Sequence, residues 1–155
     1  MRDLYFAITR ANADYARCID DDRLEEWPNF FADNCLYRVT SAQNYAEGLQ
    51  ASLIFADSRG MLRDRVSALR QANIYERQGY RHILGAPSTL GVQGDKVRSE
   101  APFMVARIMR DGTTSLFATG RYMDVWKHIG DQVQLIERIV ICDSSRIDTL
   151  LALPL

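Results

Sequence analysis

Histidine is scarce in this chain, and metal ligands do not cluster. Of 155 residues, only His82 and His128 are histidine, and they lie 46 positions apart. A mononuclear iron triad needs two histidines and a carboxylate that converge. An iron–sulfur centre needs four Cys or His ligands at tight spacings. Neither set can be found along the sequence. The three cysteines, Cys18, Cys35 and Cys142, form no C-x-x-C pair, which excludes the usual zinc-ligand spacings. Their odd number and wide separation oppose a disulfide framework and fit a reducing compartment, with each read as a small buried apolar side chain. No apolar run approaches membrane-spanning length. Asp3, Arg10 and Asp14 interrupt the apolar residues near Met1, unlike a secretory leader. The expected location is the cytoplasm. A net charge of −1 gives no broad field to attract nucleic acid or an anionic membrane. No P-loop, G-x-G-x-x-G or G-x-S-x-G motif occurs.

What remains is an ordinary globular composition, with 47% hydrophobic and 25% charged residues. The length suits one domain, 1–155, able to bury roughly 68–70% of its unfolded surface. Residues 3–20 read as an amphipathic helix, because Leu4, Ile8, Ala11, Tyr15 and Cys18 fall on one face. Asp22 with Glu25 has the spacing of a capping box for a second helix carrying Leu24, Trp27, Phe30 and Phe31. Cys35–Thr40 suggests a short strand, and Ala51–Ala56 another. Ser58 can cap a helix through Ala72 with a stripe of Met61, Leu62, Val66 and Leu69. Residues 80–92, 97–110, 114–127 and 132–143 are strand candidates. Gly94-Asp95, Asp111-Gly112 and Gly130-Asp131 separate them with hairpin-turn chemistry. Alternation places Leu116, Ala118 and Tyr122 on one strand face, and Leu135, Ile139 and Ile141 on another. Long consecutive strands coil, so the sheet should bend around the N-terminal helices. The expected fold is α+β: a cone-shaped, curved antiparallel sheet wrapped around those helices.

The segment Asn73–Ile83 packs two tyrosines, two arginines, a glutamate and a histidine into eleven residues. Tyr and Arg combine contact area with directional hydrogen bonds, the chemistry of a surface that a partner covers. Tyr75, Glu76, Arg77, Tyr80, Arg81 and His82 are therefore expected at a subunit interface. Trp126, near a strand end, is expected there too. The run Asp20-Asp21-Asp22 could ligate a hard cation, but neighbouring side chains at a helix junction point apart and serve as caps. Asp143-Ser144-Ser145 lacks a nearby base and reads as a strand end. One catalytic arrangement stands as an alternative. A cone can enclose a pocket, where Asp14, Tyr15 and His82 could move protons beside a carbonyl, as an isomerase or dehydratase does.

Read together in order, several segments resemble the small, or beta, subunit of Rieske-type aromatic-ring-hydroxylating dioxygenases. They are Ile19-Asp20-Asp21-Asp22, Leu24-Glu25-Glu26-Trp27, Phe30-Phe31 and Tyr37-Arg38-Val39. Asp64-Arg65, Leu69-Arg70, Asn73-Ile74-Tyr75-Glu76-Arg77 and Tyr80-Arg81-His82 follow. Phe117-Ala118-Thr119-Gly120-Arg121-Tyr122 and the tail Asp148–Leu155 complete the pattern. Within the family, Asn73-Ile74-Tyr75-Glu76-Arg77, Tyr80-Arg81-His82 and the tail resemble the small subunits of enzymes acting on aromatic carboxylates, terephthalate ahead of anthranilate, with salicylate further off. The resemblance implies a fold like the nuclear transport factor 2 and SnoaL cones. It implies a homotrimer of small subunits that carries a large, alpha subunit on each, a mixed hexamer. No cofactor is expected on this chain. The Rieske [2Fe-2S] cluster, the mononuclear Fe(II) and the substrate pocket are implied on the large subunit, with NAD(P)H electrons arriving through a separate reductase. The family has no catalytic motif on this subunit, so no catalytic residue is carried over.

Overall fold

The structure, a computed structural model, describes residues 2–72, 78–146 and 153–155. Helix α1 spans Arg2–Asp20 and turns Ile8, Asn12, Tyr15, Ala16, Cys18 and Ile19 inward. Its end corrects one expectation. Asp22 adopts φ +61°, while the N–H groups of Asp22 and Arg23 donate to the carbonyls of Ile19 and Cys18 at 3.0 and 2.9 Å. This is a Schellman closure with Asp22 in the left-handed position. Asp22 thus ends α1 rather than opening a second helix, and Glu25 binds Arg70 instead of completing a capping box. Only a 3-10 turn forms at Trp27–Phe30, with Pro28 in its first positions.

Phe31 leaves that turn in an extended conformation and starts β1, Phe31–Ser41, four residues earlier than the alternation indicates. The Ser41 hydroxyl then caps a five-residue helix, α2, Ala42–Ala46. Strand β2 is short, Ile54–Ala56. Helix α3, Arg59–Gln71, begins at Ser58 as expected, with the Met61 N–H donating to Ser58 Oγ at 3.1 Å. Leu62 and Val66 face inward, but Met61 is 39% exposed, at the edge of the stripe.

The expected strand 80–92 is two strands, β3 (Gln78–Leu84) and β4 (Ser88–Gln93). Gly85-Ala86-Pro87 separates them, and proline cannot continue a ladder. Strands β5 (Lys96–Met109), β6 (Thr114–Ile129) and β7 (Gln132–Cys142) fall where the turn residues place them. The order is β2-β1-β7-β6-β5-β3, with β4 also paired to β5. All pairs are antiparallel except β1–β7.

Four register shifts interrupt the ladders among the described residues, and the two that flank β6 alter which residues face the core. In the β5–β6 ladder Val105 pairs with Ala118, but Ala106 pairs with Leu116, leaving Phe117 as an extra residue. In the β6–β7 ladder Val125 pairs with Glu137 and Trp126 with Leu135, which leaves Ile136 over. Leu116 consequently turns out to 64% exposure while Ala118 and Tyr122 stay inside. Leu135 likewise faces the core with Arg138 and Val140 rather than sharing a face with Ile139. At Gly120, β6 and β7 approach so closely that a Cβ would lie 2.0 Å from the Ile141 carbonyl oxygen. The concave side closes over α1, which packs on β3 and β7, while α3 packs on β1. No helix among the described residues is long and apolar enough to cross a membrane.

Candidate functional site

In a cone, the interior is the natural place for a pocket, and here bulky buried side chains project into it. Arg138 projects inward from β7 and is fully buried, as is its partner Asp124 on β6. The guanidinium donates from Nε and Nη2 to the two Asp124 carboxylate oxygens, each at 2.8 Å, and from Nη2 to Asn12 Oδ1 of α1. Aromatic rings enclose the cation: its central carbon lies 3.9 Å from the Tyr122 ring centre and 4.3 Å from that of Tyr15. Such a desolvated cation–π contact holds the guanidinium where water cannot. Trp126 is 1% exposed and donates to Ser99 Oγ at 2.9 Å. Trp126 therefore belongs to the core, not to an interface, because even-numbered positions of β6 from Ala118 to Trp126 point inward.

The segment Leu153–Leu155 enters the same space and is buried throughout. Tyr15 and Tyr37 both donate to the main-chain oxygen of Leu155, at 2.8 and 3.0 Å. The Leu155 N–H in turn donates to the Tyr37 hydroxyl at 3.1 Å, and Tyr80 reaches the Leu153 carbonyl at 3.5 Å. Burial raises the Tyr15 hydroxyl above its ordinary range and drives Tyr37 and Tyr122 well above it. All three phenols stay protonated, and those of Tyr15 and Tyr37 donate to Leu155.

His82 projects inward from β3, with its side chain 0% exposed. Asp20, at the end of α1, accepts from the His82 backbone N–H at 2.9 Å and contacts Nδ1 at 2.7 Å. A carboxylate oxygen accepts, so the tautomer with its N–H at Nδ1 donates to Asp20. Nε2 is buried and has no hydrogen-bond partner among the described residues. This pair ties α1 to β3. It also corrects the triad arrangement: His82 meets Asp20, while Asp14 faces solvent and Tyr15 holds Leu155. The remaining carboxylates of the triple aspartate do not gather either. Asp22 and Glu25 grip Arg70 at 2.7–2.9 Å, and no group of three or more His, Cys, Asp or Glu among the described residues could hold a metal ion.

The convex sheet face is different. Ile83 on β3 pairs with Met104 on β5, and Arg81 pairs with Ala106, which in turn pairs with Leu116. Ile83, Met104 and Leu116 are 57%, 43% and 64% exposed, and the Arg81 side chain 66%. Exposed apolar side chains beside an arginine make this face a candidate contact surface. Of the expected interface residues, Arg81 lies on this surface. Tyr80 and His82 point the other way into the core, as period-two alternation requires. Tyr75, Glu76 and Arg77 lie outside the described residues. The sequence reading missed Ile83, Met104 and Leu116; the first two could have been found from the opposite parity to Tyr80, His82, Phe103 and Val105. It also missed Arg138 and Asp124, although a charge in mid-strand between Ile136 and Val140, or between Tyr122 and Trp126, signals a buried pair.

The sequence model of the family described as ring hydroxylating beta subunit matches residues 14–149. The beta 1 subunit of the terephthalate 1,2-dioxygenase terminal oxygenase component from a Comamonas species is 52% identical, over 96% of each chain. The anthranilate 1,2-dioxygenase small subunit of Burkholderia cepacia is 32% identical, over 97% of this chain and 94% of that one. A crystal structure from Novosphingobium aromaticivorans, assigned as the beta subunit of an aromatic-ring-hydroxylating dioxygenase, superposes with a TM-score of 0.90 at 44% identity. It covers 97% of this chain and 96% of its own.

Proposed function

The chain belongs to the ring hydroxylating beta subunit family, and on that footing we propose that it is the structural, non-catalytic small subunit of a cytoplasmic aromatic-ring-hydroxylating dioxygenase. The 155 residues act as one domain. The large subunit supplies the Rieske cluster, the mononuclear iron and the substrate pocket, and a separate reductase delivers electrons from NAD(P)H. The substrate is an aromatic carboxylate, with terephthalate the first choice because of the Comamonas relative and anthranilate the second. The observation that carries the reading is the interior. Arg138, Asp124, three tyrosines and the Leu153–Leu155 segment fill the space where an independent cone enzyme would hold its substrate.

The exposed face of Arg81, Ile83, Met104 and Leu116 is then the seat for assembly. Small subunits form a trimer, and each carries one large subunit. A ring of three requires heterologous contacts, one patch meeting a different patch on the neighbour. Leu53 and Phe55 around the short edge strand β2, 44% and 53% exposed, offer the second patch.

Co-expression with a large Rieske subunit, mass measurement of the purified complex and oxygen uptake across aromatic acids test this reading. The expected product is a 3:3 complex that consumes oxygen with terephthalate. Met104→Glu is expected to give a folded chain that fails to assemble. A small chain that alone converts a ketone or hydroxy compound, or a large subunit fully active without it, would overturn the proposal.

A further inference from the structure

The two tyrosines that hold Leu155 make a built polar seat inside an otherwise aromatic space. Both hydroxyls point at one oxygen, at 2.8 and 3.0 Å. Tyr37 is also positioned to accept from an N–H next to that oxygen. The two side chains are 1% and 0% exposed. Rings wall the seat: Tyr15 meets Phe31 and Tyr122 edge-on, and Tyr37 meets Trp27 and Phe31 edge-on. Two donors converging on one oxygen match the oxygen of a carboxyl or amide group, and the Tyr37 hydroxyl can in addition accept from an N–H on the far side of the carbon that bears that group. Apolar edges on either side match a ring or branched chain attached to it.

We propose that Tyr15 and Tyr37 form a binding seat for the carboxyl or amide group of a small apolar compound, and that the chain's own Leu153–Leu155 segment occupies it. While it is in place, the segment excludes such compounds. Once it is removed, the cone regains the concave, largely apolar form of a ligand site with a few convergent polar groups. The inference is independent of the assembly proposed above, because it concerns the opposite side of the sheet.

The test compares the full chain with one ended before Leu153. Benzamide and benzoate are titrated by calorimetry into each. The shortened chain is expected to bind at least one of them about tenfold or more tightly than the full chain does. Tyr37→Phe in the shortened chain is expected to weaken that binding by roughly tenfold, the loss of one hydrogen-bonding group from a buried site. Preference for benzamide identifies a neutral amide seat and preference for benzoate a carboxylate seat, and either result supports the proposal. A folded shortened chain that binds neither, or binding unchanged by Tyr37→Phe, overturns it. If the shortened chain does not fold, the tripeptide Leu-Pro-Leu supplied separately is expected to restore its circular dichroism and cooperative melting. Failure of the tripeptide at millimolar concentration overturns the proposal equally.

Discussion

Replacing Asp124 with Asn removes one negative charge and almost no volume. It leaves the Arg138 guanidinium fully buried, with one of its two 2.8 Å acceptors kept as a neutral amide oxygen and the other replaced by an NH2 that cannot accept. Breaking a buried ion pair by deleting one partner costs about 3–5 kcal/mol, because an uncompensated charge stays in a low-dielectric interior. A domain's total stability is only about 5–15 kcal/mol. For a chain near 150 residues, each kcal/mol shifts the melting temperature by about 2–4 °C, so a fall of roughly 6–20 °C is expected. The double variant Arg138→Met with Asp124→Leu removes both charges. It sheds the desolvation cost, but loses the cation–π contacts, about 2 kcal/mol, and strands Asn12, about 1–3 kcal/mol. Replacing such pairs with apolar residues often changes stability by about 1–4 kcal/mol in the favourable direction. At mid-range values the double variant should therefore lie about 1.5 kcal/mol below the native protein, well short of the single variant's loss. Urea unfolding of the purified chain measures both. An Asp124→Asn loss below about 1 kcal/mol, or a double variant as weak as the single one, would refute the reasoning.

Three further outcomes are expected. Gly120→Ala forces a methyl group to within 2.0 Å of the Ile141 carbonyl oxygen, so β6 and β7 must separate. Denaturant melts should show a loss at or above the upper end of about 1–3 kcal/mol. Asp20→Asn weakens the charge-assisted contact to His82 and should cost about 1.5–3 kcal/mol by the same measurement, with His82→Ala giving no additive loss in the double variant. Burial pushes the Cys18 thiol up to about 11 and Cys142 to about 12. At pH 8 a thiol reagent should leave both unlabelled until the chain unfolds. Their folded values exceed their unfolded ones, so the unfolded state releases protons first. Stability should decline as pH rises above about 9, measurable as a falling urea midpoint.

Much of the architecture could be read from local chemistry. Ser58 announces α3, and Gly94-Asp95 and Gly130-Asp131 fix the two-residue turns that set β5, β6 and β7. These signals act within a few residues, so sequence carries them directly. Asp22 misled because its cap-like side chain concealed a left-handed backbone position, which depends on how α1 ends. The 80–92 run misled because Gly85 and Pro87 were read through rather than as a break. Faces of the strands were hardest. Alternation holds only until an extra residue intervenes, and neither Phe117 nor Ile136 advertises itself as one. Of the residues expected at an interface, those described divide between the exposed face and the core. Arg81 reached the exposed face, whereas the neighbours of His82 and Trp126 depended on contacts between residues 27 and 62 positions apart.

The surplus residues at Phe117 and Ile136 have an evolutionary corollary. Elsewhere in the long ladders, losing or gaining one amino acid would exchange wet and dry sides for the remainder of a strand. At these two points the ladder already absorbs an odd residue, so deleting either one would straighten the local arc while leaving inward and outward assignments intact. Single-residue length variation in this part of the sheet should therefore be tolerated there first, as a change of curvature rather than a core turned inside out.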